Sequence, residues 1–299
     1  MPDYTQLNRT LIRIKGIDAE KFLQGQISTD VASLSHNKVS YSTLNDPKGR
    51  MYGLFKILRL EDDYLLSLHT STVDQVISKL SKYVVFFKCK ITKVSTAVVS
   101  GLTFKKNNDQ AENLALPSEP MHYIESNEKM VIQLPSHGAP FLYEIWHLNP
   151  DADDVTVSET GSESWNALET LSGIPEVYES TQGAFILQDL NLQELGAVSF
   201  KKGCYTGQEI IARMKYLGKQ KKKTYLIQSE QNLTILPKQY IYDSSGKRCG
   251  TVVRSHRSDT SETVALAVIN KLYTEENTVV YSDEMATHAL TIREIHYTS

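Results

Sequence analysis

The 299-residue sequence has only three cysteines, Cys89, Cys204 and Cys249, which stand far apart and never in Cys-x-x-Cys spacing. That odd number argues against a disulfide framework. It also argues against a zinc or iron–sulfur site built by this chain alone, because such sites gather several thiolates or imidazoles at close spacing. No metal ligand is therefore expected, although a cluster shared between Cys204 and a partner's ligands stays open. Long apolar runs are missing too. The densest, Val84 to Phe87, is too short to cross a bilayer, and the first residues carry no basic end followed by an apolar stretch. The expectation is a cytoplasmic protein with no membrane partner. There is no Gly-x-Ser-x-Gly elbow, no phosphate loop and no His-Glu-x-x-His, so the chemistry those motifs mark is not indicated.

Charge of one sign is missing locally. From Met130 to Phe200 there is no Lys or Arg, while carboxylates run from Asp151 to Glu194. From Lys201 to Lys223 the balance reverses to seven Lys and Arg213 against Glu209 alone, although the whole chain carries only −3. Such a patch suits an anionic ligand or a phosphate backbone, or is simply a solvated helix end.

What is present is a soluble globular composition, 40% hydrophobic and 22% charged, at a length that suits two or three domains. Thr10–Lys15 alternates as a strand, and Asp18 offers an N-cap for a helix through Phe22 and Leu23. Strands are expected at Tyr41–Leu44, Met51–Leu60, Tyr64–His69, Cys89–Val94, Ala97–Phe104, Val131–Leu134 and Leu142–Trp146. Val73, Val76, Ile77, Leu80 and Val84 share one helical face. The polar run Lys105–Asn113 reads as a loop. A helix carrying Trp165, Leu168 and Leu171 stops at Gly173, and Pro175 forbids its easy continuation. After Lys223 come only short β-rich runs between turns, the pattern of a small barrel or sandwich.

The most informative stretch is Ser199 to Lys223. Thr206 and Glu209 have the spacing of a capping box, which predicts a helix starting at Thr206. Cys204 would then precede a helix N-terminus beside Lys201 and Lys202, all of which favour a thiolate. The alternative is a small apolar plug.

Phe200-Lys-Lys-Gly-Cys-Tyr-Thr-Gly-Gln-Glu209, followed by Ala212-Arg213, resembles the signature of the YgfZ family of folate-binding proteins, relatives of the glycine-cleavage T-protein. Similar stretches are Gly16 to Gln26, Asp30-Val31, Asp46-Pro-Lys-Gly-Arg-Met51, Lys82-Tyr-Val-Val-Phe86, and Gln188 with Asn191-Leu-Gln193. The resemblance implies a multidomain α+β fold. A discontinuous folate-binding domain (1–50 plus 128–223) would enclose an inserted ferredoxin-like α+β domain (51–127), and a C-terminal β-barrel would follow (224–299). It implies tetrahydrofolate or a derivative as cofactor, bound by Trp165, Arg9, Lys201 and Arg213, with Cys204 and Lys202 carrying chemistry. Arg9 stands where relatives can carry an aromatic folate contact, and Leu187 where a Pro often precedes Gln188. The implied function is that of a monomeric accessory protein for assembly or repair of iron–sulfur clusters in client enzymes, including those that thiolate tRNA. Its partners would be those clients or the assembly proteins. Two alternatives are a tetrahydrofolate-dependent aminomethyltransferase and a tRNA-binding module using the lysine run, although that run lacks interleaved aromatics.

Overall fold

The structure, a computed structural model, describes all residues except 1–3, 105–114, 137–139, 151–156, 159–160, 219, 259, 275–278 and 298–299. The expected Lys105–Asn113 loop thus lies outside the described residues. Strands β1 (Tyr4–Gln6) and β2 (Arg9–Lys15) open the chain, followed by α1 (Ala19–Gln24), β3 (Val39–Asn45), β4 (Met51–Leu60) and β5 (Asp63–His69). Helix α2 (Val73–Val84) and β6 (Lys90–Lys93) complete a five-stranded antiparallel sheet of order β3-β4-β5-β2-β6. Strand–helix–strand–strand–helix–strand with order β4-β5-β2-β6 is the ferredoxin-like arrangement, and β3 is added at its edge. Both helices cover one face: Phe22 and Leu23 of α1 and Val73, Val76 and Leu80 of α2 join Ile12, Phe55 and Leu66 in one apolar core.

The expected division at residue 50 falls inside this sheet. Residues 50 and 51 lie within the β3–β4 hairpin, which pairs from Val39 with Leu58 to Asn45 with Met51. The strands of this sheet run from Arg9 to Lys93. Strand pairing is a non-local choice, and Pro47-Lys-Gly49 marks a tight hairpin turn as readily as a domain edge.

A second sheet has order β11-β1-β7-β10-β9-β8, from β7 (Val98–Phe104), β8 (Tyr123–Ser126), β9 (Lys129–Gln133), β10 (Phe141–His147) and β11 (Val157–Ser158). β1 joins it, antiparallel to β7 and parallel to β11, with Tyr4 opposite Val157. The remaining elements are α3 (Ser162–Leu171), α4 (Gln208–Tyr216) and the strands β12 (Lys222–Ser229), β13 (Tyr240–Tyr242), β14 (Arg248–Arg257), β15 (Thr263–Asn270), β16 (Val279–Tyr281) and β17 (Ala289–Arg293). β12 to β17 close into a six-stranded barrel, as the turn-punctuated C-terminal pattern predicts.

The main core lies where these units meet. It joins Leu11, Leu54 and Leu65 of the first sheet to Met130, Leu142 and Trp146 of the second, and to Val253, Leu266 and Val268 of the barrel. Between α3 and α4 the chain runs without long regular structure, yet Ile174, Val177, Leu187, Leu190 and Leu192 are buried in this core and stitch it together.

Candidate functional site

A cavity of about 480 Å³ opens where the first sheet, α3 and the barrel converge. Helical spacing brings Trp165, Asn166 and Glu169 of α3 to its wall. Arg9 comes from the start of β2 and His69 from the end of β5, while Arg254 and His256 project from β14 two residues apart, on one face of the strand. A register shift between Val252 and Arg254 marks a β-bulge there. A bulge re-aims the side chains that follow it, and Arg254 turns out of the barrel toward α3. Trp165 is 3% exposed, and its indole lies flat against Gly101 of β7, which has no Cβ to obstruct it. The indole Nε1 is buried and has no hydrogen-bond partner among the described residues.

Beneath this wall lies a charge cluster with three cations and three carboxylates. The Arg9 guanidinium reaches Glu176 at 2.8 Å, Glu169 at 3.4 Å and Glu144 at 3.5 Å. Lys56 Nζ lies 2.7 Å from Glu144, and Arg254 Nη1 lies 3.2 Å from Glu169. Glu144 also accepts from Trp146 Nε1 and Ser67 Oγ, and Glu176 from the Val177 N–H. Burial raises the Glu169 carboxyl, but Arg9, Arg254 and Lys56 outweigh it and hold that group down at about 2. Burial likewise opposes the charge on Arg9, yet Glu176, Glu144 and Glu169 push its pKa above the ordinary guanidinium value. The carboxylates come from the stretch that lacks Lys and Arg, and the cations come from β2, β4 and β14. Long-range pairing thus answers the local charge imbalance.

His256 shares the wall with Tyr178, whose hydroxyl lies 3.5 Å from its Nε2. Burial first, and then Arg254, push His256 down to about 4, although Glu163 and Glu169 pull the other way. Burial also lowers His69, with Arg9 and Arg254 adding to it against Glu176 and Glu169. A histidine that refuses its proton when folded loses stability as the pH falls, because the unfolded chain takes up protons that the folded one does not. Thermal unfolding followed by circular dichroism should therefore show stability dropping as the pH falls from 6.5 toward 4, with a smaller drop in His256→Gln. An unchanged slope in that variant would remove His256 as a cause.

Of the residues expected at the site, Trp165 and Arg9 line the cavity together, whereas Cys204, Lys201, Lys202 and Arg213 are not among its lining residues. Three of the stretches that carry the resemblance instead meet one another. Gly207, at a φ of +85°, caps α4 and packs on the Asp46–Arg50 turn, where an added Cβ would come within 2.6 Å of the Asp46 carbonyl. Gly49 packs against Ile210, and Gln188 donates to the Ile211 carbonyl. The capping box is corrected: α4 begins at Gln208, and no side chain caps it. Glycine's freedom at positive φ, which lets the helix start press on that turn, decides the position rather than a hydroxyl.

Lys202 also departs from expectation. Its ammonium turns inward, donating to the carbonyls of Ile27 at 2.8 Å and Thr29 at 2.6 Å, and burial lowers its pKa to about 8. Of the three local reasons for a thiolate at Cys204, a helix start at Thr206 and a free Lys202 are not in place, while the neighbouring Lys201 is exposed. Cys204 is exposed, while Cys249 is buried and Cys89 half-buried. Glu144, Glu169, Glu176, Arg254 and His256 escape sequence reading. The spacing of Trp165, Asn166 and Glu169 on one helix, preceding Glu176 in a stretch without cations, is the signal that could have pointed to the first wall.

No protein-family model matches the chain. Curated proteins named tRNA-modifying protein YgfZ are similar to it along most of its length. That from Enterobacter sp. is 29% identical over 287 residues, 87% of this chain and 82% of its own. That from Escherichia fergusonii is 28% identical over 299 residues, 93% of this chain and 88% of its own. Among solved structures, the glycine cleavage system aminomethyltransferase T of Bartonella henselae superposes with a TM-score of 0.74 at 16% identity, covering 99% of this chain and 88% of that one. The fold is thus that of the aminomethyltransferase T structure, and the resemblance carried by the Phe200–Glu209 motif is borne out by homologues named YgfZ. Among the described residues no helix is long and apolar enough to cross a membrane.

Proposed function

We propose that this YgfZ relative with a T-protein fold is a folate-binding accessory protein that supports iron–sulfur enzymes, including those that thiolate tRNA. The observation that carries the folate part is the unpartnered Nε1–H of Trp165, buried in the wall of a cavity large enough for a drug-sized ligand. A buried donor left without an acceptor costs free energy, so a ligand that supplies one is favoured there. The residues fit a reduced folate. The Trp165 indole offers a surface for the pterin and a hydrogen bond to one of its acceptors, and Arg9 closes the wall beside it. A bound tetrahydrofolate brings a reduced pterin able to carry a one-carbon unit.

The aminomethyltransferase reading asks for a carboxylate free to position the folate nitrogen. Glu144, Glu169 and Glu176 are each held by cations, and Glu169 stays ionised down to about pH 2. That favours a binding role over transfer. Cys204, exposed in the stretch that carries the resemblance, is assigned the thiol function toward client proteins.

Two variants test the halves of the proposal separately. Trp165→Ala should weaken tetrahydrofolate binding in calorimetry about tenfold or more, and equal affinity would remove the cavity from the proposal. Cys204→Ser should bind folate like the parent and fail to sustain iron–sulfur enzyme activity in cells lacking the native protein. Full rescue by that variant would remove the thiol.

A further inference from the structure

Outside the cavity, α4 and the segment leading into it form a surface on which cations and aromatic rings alternate. Tyr216, at the end of α4, is 67% exposed. Its ring centroid lies 6.3 Å from that of Phe200 in an edge-to-face arrangement, and Lys215 Nζ sits 5.2 Å from the Phe200 centroid. Lys201, Arg213 and Lys215 are exposed around these rings. Gln188 donates to the Ile211 carbonyl of α4 while its own carbonyl accepts from Gln220, so the chain leaving α4 folds back and keeps the exposed Lys221 and Lys222 near the helix. Against these cations α4 offers one exposed acid, Glu209, and Glu294 pairs with Lys223. The aromatic interleaving that the linear lysine run lacks is supplied by folding.

We propose that this face, centred on Phe200, Lys201, Lys215 and Tyr216, binds a single-stranded segment of RNA. The exposed Tyr216 ring, braced by the half-buried Phe200 and flanked by cations, suits an unstacked base and its phosphates, because stacking tolerates any base and the cations track the backbone. A protein partner fits less well. The exposed apolar part reduces to Tyr216 and the neighbouring Leu217, and lysines are depleted at the cores of protein interfaces. The inference rests on this surface alone and stands apart from the cavity reading.

Fluorescence anisotropy of the full chain with a labelled single-stranded RNA 12-mer, and with a tRNA transcript as competitor, tests it. Binding should weaken with salt at a log–log slope of about −3, for roughly four neutralised phosphates. Tyr216→Ala should lower affinity about tenfold with the salt slope unchanged, and Lys215→Glu should lower affinity and flatten the slope. Lys88→Glu, at the exposed lysine before β6, should change neither and serves as the charge control. Absence of RNA binding at 50 mM salt overturns the proposal. So does an equal loss in the Lys88→Glu control, or full binding by both face variants. Loss of binding to a purified iron–sulfur client in Tyr216→Ala, with no RNA bound by the parent, reassigns the face to protein docking and equally overturns it.

Discussion

Replacing Glu169 with alanine should destabilise the protein by about 3–5 kcal/mol, because it leaves buried cations without their carboxylate. Glu169 is the shared member of the cluster: Arg9 reaches one of its oxygens at 3.4 Å and Arg254 the other at 3.2 Å. Arg254 keeps the Ile174 and Asn166 carbonyls and Arg9 keeps Glu176, yet at 1% exposure Arg254 gains little from bulk solvent in exchange. Urea unfolding should show the loss. Arg254→Met combined with Glu169→Ala should recover part of it, since apolar replacement of a whole buried pair is often tolerated. A single-variant loss below about 1 kcal/mol would mean that the cluster behaves as a hydrated surface network.

Gly101→Ala carries the second large effect. An added Cβ would stand 2.5 Å from Cε3 and 2.6 Å from Cδ2 of Trp165, a rigid ring that is itself buried. Either β7 or the indole must move, at a cost of about 1–3 kcal/mol. Tetrahydrofolate affinity should fall as it does in Trp165→Ala. In a Trp165→Ala background the same glycine change should be far milder, because the ring it strikes is gone, and that coupling is what a double-mutant cycle measures. Additive losses would show that Gly101 acts through its backbone and not through the cavity wall.

Much of the local structure was legible in the residues themselves. Met51–Leu60 carries a strand pattern whose limits match the strand observed, and Val73 to Val84 encode a helix through the spacing of Val73, Val76 and Leu80. The short strands β1 and β8 have too few residues to establish a period. Partnership was the hidden part. Nothing in Pro47-Lys-Gly49 says that the strands on either side pair, and nothing in Arg254 says that a bulge delivers it to Glu169 on α3. Trp165 and Arg9 were found together because the resemblance named both. The capping box failed because Thr206 and Glu209 satisfy the spacing while the neighbouring Gly207 satisfies the packing, and packing against backbone won.

The parallel pairing of Tyr4 with Val157 sets an order in time. The ribosome releases the first strand long before its last neighbour exists. At 5–20 residues per second, about 150 residues of synthesis take roughly 8–30 seconds. The Arg9–Lys93 sheet, whose strands all lie within the first third of the chain, can close meanwhile, but the edge of β1 waits unpaired on that side. A nascent chain halted before residue 157 should therefore hold Tyr4–Gln6 through β7 alone and leave them more open to protease than the sheet just behind them.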